Sequence, residues 1–141
     1  MTHGARHLAN GHEDKEPTRA DKAHPAESAQ ALTPNRLLAL WHGVMQRAIA
    51  DEHPDLTARQ LALLLHIYLT APPHTVRGLA AELKISKPAV TRALDRLSAY
   101  QLLRRKRDEA DKRNVLVQRT IKGSVYLRDF GDLAARVAKG V

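Results

Sequence analysis

With 141 residues the chain is long enough for one domain with its own hydrophobic core, and its net charge is +8. It contains no cysteine, which excludes disulfides, thiolate metal sites and thiol-based redox sensing. It also lacks an apolar run of membrane-spanning length and a signal-peptide core, so a cytoplasmic protein that makes no membrane contact is expected.

The first 33 residues are predicted to form a disordered tail. Leu8 and Leu32 are their only large aliphatic side chains, too few to offset the entropy cost of ordering the chain. The tail histidines His3, His7 and His12 match no specific metal-site spacing, so we expect no metal and no cofactor.

Two helices are predicted next. The first covers 34–52 and carries an apolar stripe that includes Trp41. The second follows the capping-box spacing of Thr57 and Gln60 and runs to about Thr70. Because it is apolar around most of its circumference, we expect it to be buried.

A helix-turn-helix is predicted after a very short strand at residues 74–76. A helix at 76–83 is followed by a tight turn and a second helix at about 87–99, which Ser86 caps and in which Pro88 suits the first turn. One face of the second helix is apolar, formed by Val90, Leu94 and Leu97. The opposite face is polar, which suits either a helix that lies in the DNA major groove or an ordinary solvent-exposed amphipathic helix.

A β-hairpin and a final helix complete the predicted fold. Strands at 102–106 and 114–119 flank a polar loop, and a helix with an apolar stripe covers 120–139. The fold class is therefore mainly α with a small β-wing: one winged-helix domain at 34–141, with the helix-turn-helix and wing at 75–119. The stripes of helices 34–52 and 120–139 suit either a dimer interface or the completion of the monomer core.

The positive charge is concentrated in one part of the chain. Residues 84–122 contain twelve Lys and Arg against four acidic residues, whereas the rest of the chain is close to neutral. This concentration favours a polyanionic partner. Nucleic acid is favoured over a membrane surface, because the charge does not lie on one amphipathic helix opposite bulky aromatic residues.

From about Leu56 to Gly123 the chain resembles the MarR (multiple antibiotic resistance regulator) family of bacterial winged-helix transcription factors. The resemblance is carried by 56–60, by 85–97 and by a wing signature, Asp-Lys-Arg at 111–113 followed by Thr-x-x-Gly at 120–123. It implies a homodimer whose recognition helices enter successive major grooves while a wing arginine reaches the minor groove. It also implies a pocket for a small-molecule effector between the dimerisation helices and the winged helix.

Three departures from the family pattern have structural consequences. Gln101 stands where many relatives have Gly, which costs on the order of 1 kcal/mol if the position has positive φ. Arg119 stands where the wing strand usually ends in Leu, which predicts a less apolar wing base. The end of the chain has room for one helix, whereas the family normally has a longer terminal helix pair.

The predicted interface combines the recognition helix with the wing at about 104–118. Its DNA-contacting residues are Ser86, Lys87, Pro88, Thr91, Arg92, Arg96, Arg107, Lys112 and Arg113. Arg92 and Arg96 suit either guanine or phosphate, and Arg113 suits the negative minor groove. Asp111 is expected to pair with an arginine and stiffen the wing, while Asp95 and Arg96 could instead pair with each other.

These features favour a sequence-specific transcriptional regulator that binds as a dimeric repressor. The alternative is a winged-helix interaction module that modulates another regulator and binds little DNA itself. No motif supports an enzyme. Trp41, His42, His66 and Tyr68 are candidates to line an effector pocket, although Trp41 and Tyr68 fit the hydrophobic core better.

Overall fold

The computed structural model describes residues 31–141 and contains five helices and a three-stranded antiparallel sheet. The elements are α1 (Pro34–Ala50), α2 (Ala58–Leu69), β1 (His74–Thr75), α3 (Val76–Leu83), α4 (Lys87–Ala99), β2 (Leu103–Arg107), β3 (Val115–Arg119) and α5 (Ile121–Ala138). The sheet order is β1-β3-β2. This is the predicted winged helix. The predicted tail lies outside the described residues, apart from its last three.

Each of the five helices begins at a hydroxyl N-cap. In each case the side-chain oxygen accepts a hydrogen bond from a backbone N–H of the first turn. The caps are Thr33, Thr57, Thr75, Ser86 and Thr120. The capping box of Thr57 and Gln60 is present, with both reciprocal bonds formed. No helix of the described part of the chain is long and apolar enough to cross a membrane.

The main core lies between α2, the helix-turn-helix and the wing base. Helix α2 contributes the buried residues Leu63, Leu64 and Ile67, as its apolar circumference predicted. The predicted apolar face of α4, formed by Val90, Leu94 and Leu97, is fully buried against them. Leu102, Leu103 and Val117 close the core from the wing side.

A second, smaller core joins α1 to α5. Val44, Leu133 and Val137 are buried there. At Gly43 a Cβ would lie 2.7 Å from Val137 Cγ1, so the glycine allows the two helices to approach closely. The interpretation of Trp41 as a core residue is wrong: it is 54% exposed, because α1 packs mainly on α5 and its other faces stay open.

Two non-glycine residues adopt left-handed backbone conformations at the turns around α4. Lys84, with φ of 53°, ends α3 and turns the chain into the recognition helix. Gln101, with φ of 61°, lies between the end of α4 and the start of β2 and reverses the chain there. The turn therefore keeps the shape for which Gly is favoured, and Gln101 carries a cost on the order of 1 kcal/mol.

Arg119 and Tyr68 join the base of the wing to the end of α2. The Arg119 guanidinium donates from Nε to the Ile67 carbonyl oxygen (2.9 Å) and from Nη2 to the Thr70 carbonyl oxygen (2.7 Å). It also lies over the Tyr68 ring, 5.7 Å from the centroid. The Tyr68 hydroxyl donates to the Leu102 carbonyl oxygen (2.7 Å) and accepts from the Thr120 N–H (2.9 Å). The departure from Leu thus supplies a cation for the C-terminal carbonyls of α2.

Replacing Arg119 with Leu is expected to lower the free energy of unfolding by about 1–2 kcal/mol, because two charge-assisted hydrogen bonds and the ring contact are lost. Urea unfolding followed by circular dichroism measures this loss. The control is Arg104→Leu, which removes a hydrogen bond to the Gln118 side chain on the exposed wing surface and should cost less. Equal losses in the two variants would contradict a structural role for Arg119.

Candidate nucleic-acid interface

The outer face of α4 is exposed and cationic. The apolar residues at i, i+4 and i+7 are buried in the core together with Ala89 and Ala93, so the polar residues of the opposite face are turned to solvent. Six of the predicted DNA-contacting residues lie on this face or at its start, and all are exposed: Ser86, Lys87, Pro88, Thr91, Arg92 and Arg96. The Ser86 hydroxyl oxygen accepts from the Ala89 N–H (3.2 Å), so it caps the helix at the end where Lys87 adds positive charge.

Asp95 on this face is paired with the wing. Arg105 Nη2 of β2 lies 2.6 Å from Asp95 Oδ1. Arg96 instead lies over the Tyr100 ring, 5.5 Å from its centroid, so the alternative of an Asp95–Arg96 pair is wrong. The Asp95–Arg105 contact reduces the negative charge on the recognition helix and ties the helix to the wing. We call the exposed residues of 86–96 and of the wing 104–118 the α4–wing face.

The wing holds the other three predicted contact residues. Arg107, expected in the loop, is the last residue of β2 and stands opposite Val115 of β3. Lys112 and Arg113 lie in the turn between the strands, and all three side chains are exposed. Arg104, Arg105 and Lys106 of β2 add further positive charge to the wing; they belong to the cationic stretch 84–122 but are not among the predicted contact residues.

Asp111 holds Arg113 at the wing tip. Arg113 donates from Nε to Asp111 Oδ1 (3.1 Å) and from Nη2 to Oδ2 (3.3 Å), and its backbone N–H also reaches Oδ1 (3.1 Å). These bonds, the side-chain ones first, hold the pKa of Asp111 below its ordinary value, so the carboxylate stays ionised at neutral pH. The Arg113 side chain is nevertheless 85% exposed. An arginine oriented in this way is restricted before any ligand arrives.

A pocket of about 470 Å³ lies between α1, the 51–56 connection, α2 and α5. Its lining residues are Met45, Ala48, Ile49, Asp51, His53, Pro54, Asp55, Leu56, Leu61, Tyr126, Asp129, Phe130, Leu133 and Arg136. Its volume is in the usual range for small-molecule sites. None of the four candidates for an effector pocket, Trp41, His42, His66 and Tyr68, lines it.

The histidine and tyrosine of α2 have other contacts. The His66 Nε2 atom lies against a carboxylate oxygen of Glu82 in α3, and the His66 ring meets that of the buried His74 edge-on, 5.6 Å between centroids. Tyr68 is engaged at the wing base. Within residues 31–141 no group of three or more His, Asp or Glu side chains is arranged to hold a metal ion.

Comparison with known proteins finds a family model and solved structures that are similar to this chain. The sequence model of the MarR family matches residues 55–114. No curated protein matches the chain by sequence. A variant of S. aureus MepR is similar in structure, with TM-score 0.62 and 20% identity over 78% of this chain and 82% of that one.

Two further solved structures are similar. S. aureus MepR in complex with DNA has TM-score 0.58 and 19% identity over 72% of this chain and 78% of that one. A MarR transcriptional regulator from Methanosarcina mazei Go1 has TM-score 0.56 and 22% identity over 74% and 76%. At these identities the structural likeness establishes the shared fold.

Proposed function

We propose that this winged-helix chain, whose residues 55–114 match the sequence model of the MarR family, is a sequence-specific DNA-binding transcriptional regulator that acts as a homodimeric repressor. The observation that carries the proposal is the α4–wing face. On this face the cationic outer surface of α4 is joined to a wing that presents Arg113. A similar structure is that of MepR bound to DNA, which supports DNA as the partner.

The proposed arrangement on DNA follows from the shapes of the two parts. Helix α4 is placed in the major groove, where Arg92 and Arg96 can present planar guanidinium groups to guanine or to phosphate. The wing is placed over the adjacent minor groove, where Arg113 enters the negative potential. Lys87, Arg107 and Lys112 are assigned to phosphate oxygens, which position the protein without reading sequence. A regulator bound in this way represses by occupying a promoter, and its place is the cytoplasm.

The homodimer is supported by large apolar side chains that are exposed to solvent in the single chain. Leu37, Leu38, Trp41 and Ile49 of α1 are 46–79% exposed, and Ile121 at the start of α5 is 86% exposed. Burial of such side chains between two copies removes apolar area from water at about 25 cal/mol per Å². Doubling the winged helix also lengthens the DNA site, so that half-sites about one helical turn apart are expected.

The pocket between α1, α2 and α5 is the proposed effector site. It lies where the small α1–α5 core meets the winged-helix core, since Leu133 belongs to the first and Leu56 packs on the second. A ligand that prefers one arrangement of these two cores would shift the population competent to bind DNA.

DNA binding is expected to weaken steeply with salt. About five to eight phosphates contacted per dimer predict a log–log slope of roughly −5 to −7 for the binding constant, because each contact releases condensed counterions. Fluorescence anisotropy with DNA selected from a random pool measures the slope, and the selected sequence should be a pseudo-palindrome. A flat salt dependence would contradict the electrostatic interface.

Sedimentation separates this proposal from the alternative, an interaction module whose open α1 side chains engage a different regulator. The regulator sediments as a dimer and shifts the selected DNA. The interaction module sediments as a monomer and shifts no DNA.

A further inference from the structure

The proposed effector pocket carries an excess of negative charge in a protein whose net charge is +8. Three of its lining residues are carboxylates, Asp51, Asp55 and Asp129, and one is a guanidinium, Arg136. Asp129 also lies 3.8 Å from the Arg128 guanidinium, and Asp51 lies 4.0 Å from His53 Nε2. The side chains of Asp51 and Asp129 are 55% and 47% exposed, so they remain accessible at the rim.

One wall of the pocket is aromatic. The rings of Tyr126 and Phe130, one turn apart on α5, stack with their centroids 6.5 Å apart and an interplanar angle of 15°. The His53 ring meets Tyr126 edge-on at 5.9 Å. The faces of aromatic rings carry negative potential and attract cations within about 6 Å of the centroid. Leu56, Leu61 and Met45 supply an apolar surface for the uncharged part of a ligand.

The ionisation of Tyr126 is disfavoured in this pocket. Burial raises the pKa of the Tyr126 phenol, and the negative charge of Asp55 raises it further. The same two effects disfavour an anion that binds beside the ring, because the anion loses its hydration and is repelled by a carboxylate. A cation loses hydration too, but it gains the attraction of the carboxylates and contact with the aromatic wall in return.

We propose that this pocket binds organic cations, with an aromatic or alkyl body on the apolar surface and a quaternary or protonated nitrogen between the Tyr126–Phe130 wall and the acidic rim. This inference rests on the proposed function only in calling the ligand an effector, because binding itself requires no DNA.

Three phenols that differ only in the substituent at position 3 test the charge preference. They are 3-(trimethylammonio)phenol, its uncharged isostere 3-tert-butylphenol and the anion 3-hydroxybenzoate. Isothermal titration of the full-length protein without DNA is expected to give the cation an affinity about tenfold or more above that of the isostere, and no measurable binding of the anion. Equal affinity for the cation and the isostere, or preference for the anion, overturns the proposal.

Substitutions of residues that line the pocket test where the cation binds. The double variant Asp55→Asn with Asp129→Asn should lose about tenfold in affinity for the cation and little for the isostere. Phe130→Leu should also weaken the cation selectively. The matched control is Asp132→Asn, an exposed carboxylate of α5 that does not line the pocket and should change nothing. The rim carboxylates are surface side chains, so the double variant should fold, and unchanged affinity in it overturns the proposal.

Measuring the affinity for DNA with and without the cation separates the proposed ligand class from the proposed regulatory function. If the cation binds as expected and DNA affinity falls severalfold when it is present, the ligand class and the effector role are both supported. If the cation binds and DNA affinity is unchanged, the ligand class stands and the effector role is overturned. If the wild-type protein binds no DNA at all, the proposed function is overturned while the titration still decides the ligand class.

Discussion

Replacing Arg113 with Ala is expected to weaken DNA binding by about tenfold to a hundredfold at constant salt, across all sequences tested. Arg113 is 85% exposed and held by Asp111 through both guanidinium and backbone hydrogen bonds. An arginine restricted before binding loses less conformational entropy when it enters the minor groove, so its removal costs more than the loss of one flexible surface charge. Anisotropy with the selected DNA at fixed ionic strength measures the change.

Two companion variants separate geometry from charge. Arg113→Lys keeps the positive charge but loses the fork that Asp111 orients, so it should restore only part of the affinity. Lys139→Ala removes a positive charge from an exposed residue after α5, outside the α4–wing face, and should change affinity less than twofold. An Arg113→Ala protein that binds as tightly as the parent would refute the wing assignment.

Arg92 differs from Arg113 in the expected kind of loss. It lies on the exposed face of α4, where a guanidinium can read a guanine edge. Arg92→Ala should therefore weaken binding and also relax the preference at one base position of the selected site. Loss of affinity with no change in preference would assign Arg92 to phosphate.

Replacing Gly123 with Ala is expected to destabilise the protein by about 3 kcal/mol or more, enough to unfold much of a marginally stable domain. A Cβ at Gly123 would overlap the Tyr68 hydroxyl oxygen and the Leu102 carbonyl oxygen. These two atoms are hydrogen-bonded to each other, and Tyr68 also accepts from Thr120, so neither can move away freely. The Gly of the Thr-x-x-Gly signature is thus required by packing at the wing base.

Gly131 is the matched control for this prediction. It lies on the same helix, and a Cβ there meets nothing within 4 Å. Gly131→Ala should be neutral or stabilise the protein by up to about 1 kcal/mol through helix propensity. Urea unfolding of both variants measures the difference. If Gly123→Ala were as stable as Gly131→Ala, the close approach of α5 to Tyr68 and Leu102 would be wrong.

Much of this protein follows from short-range patterns in its sequence. The capping box at Thr57, the Ser86 cap and the apolar spacing of α4 involve residues three to seven positions apart, so the helices and their buried faces could be predicted. The two strands and the polar turn between them also predicted the wing, within one residue at each boundary. The roles of the exposed side chains on DNA remain proposals.

The contacts between residues far apart in sequence were decided by the tertiary structure alone. Neither the pairing of Asp95 with Arg105 nor the placement of Arg119 against the end of α2 has a local signal, because each depends on how the wing packs against a helix. The exposed apolar side chains of α1 and the acidic, aromatic pocket likewise have no local sequence signal. Local propensity decides where a helix begins and which face is apolar, whereas the packing of several elements decides what that face meets.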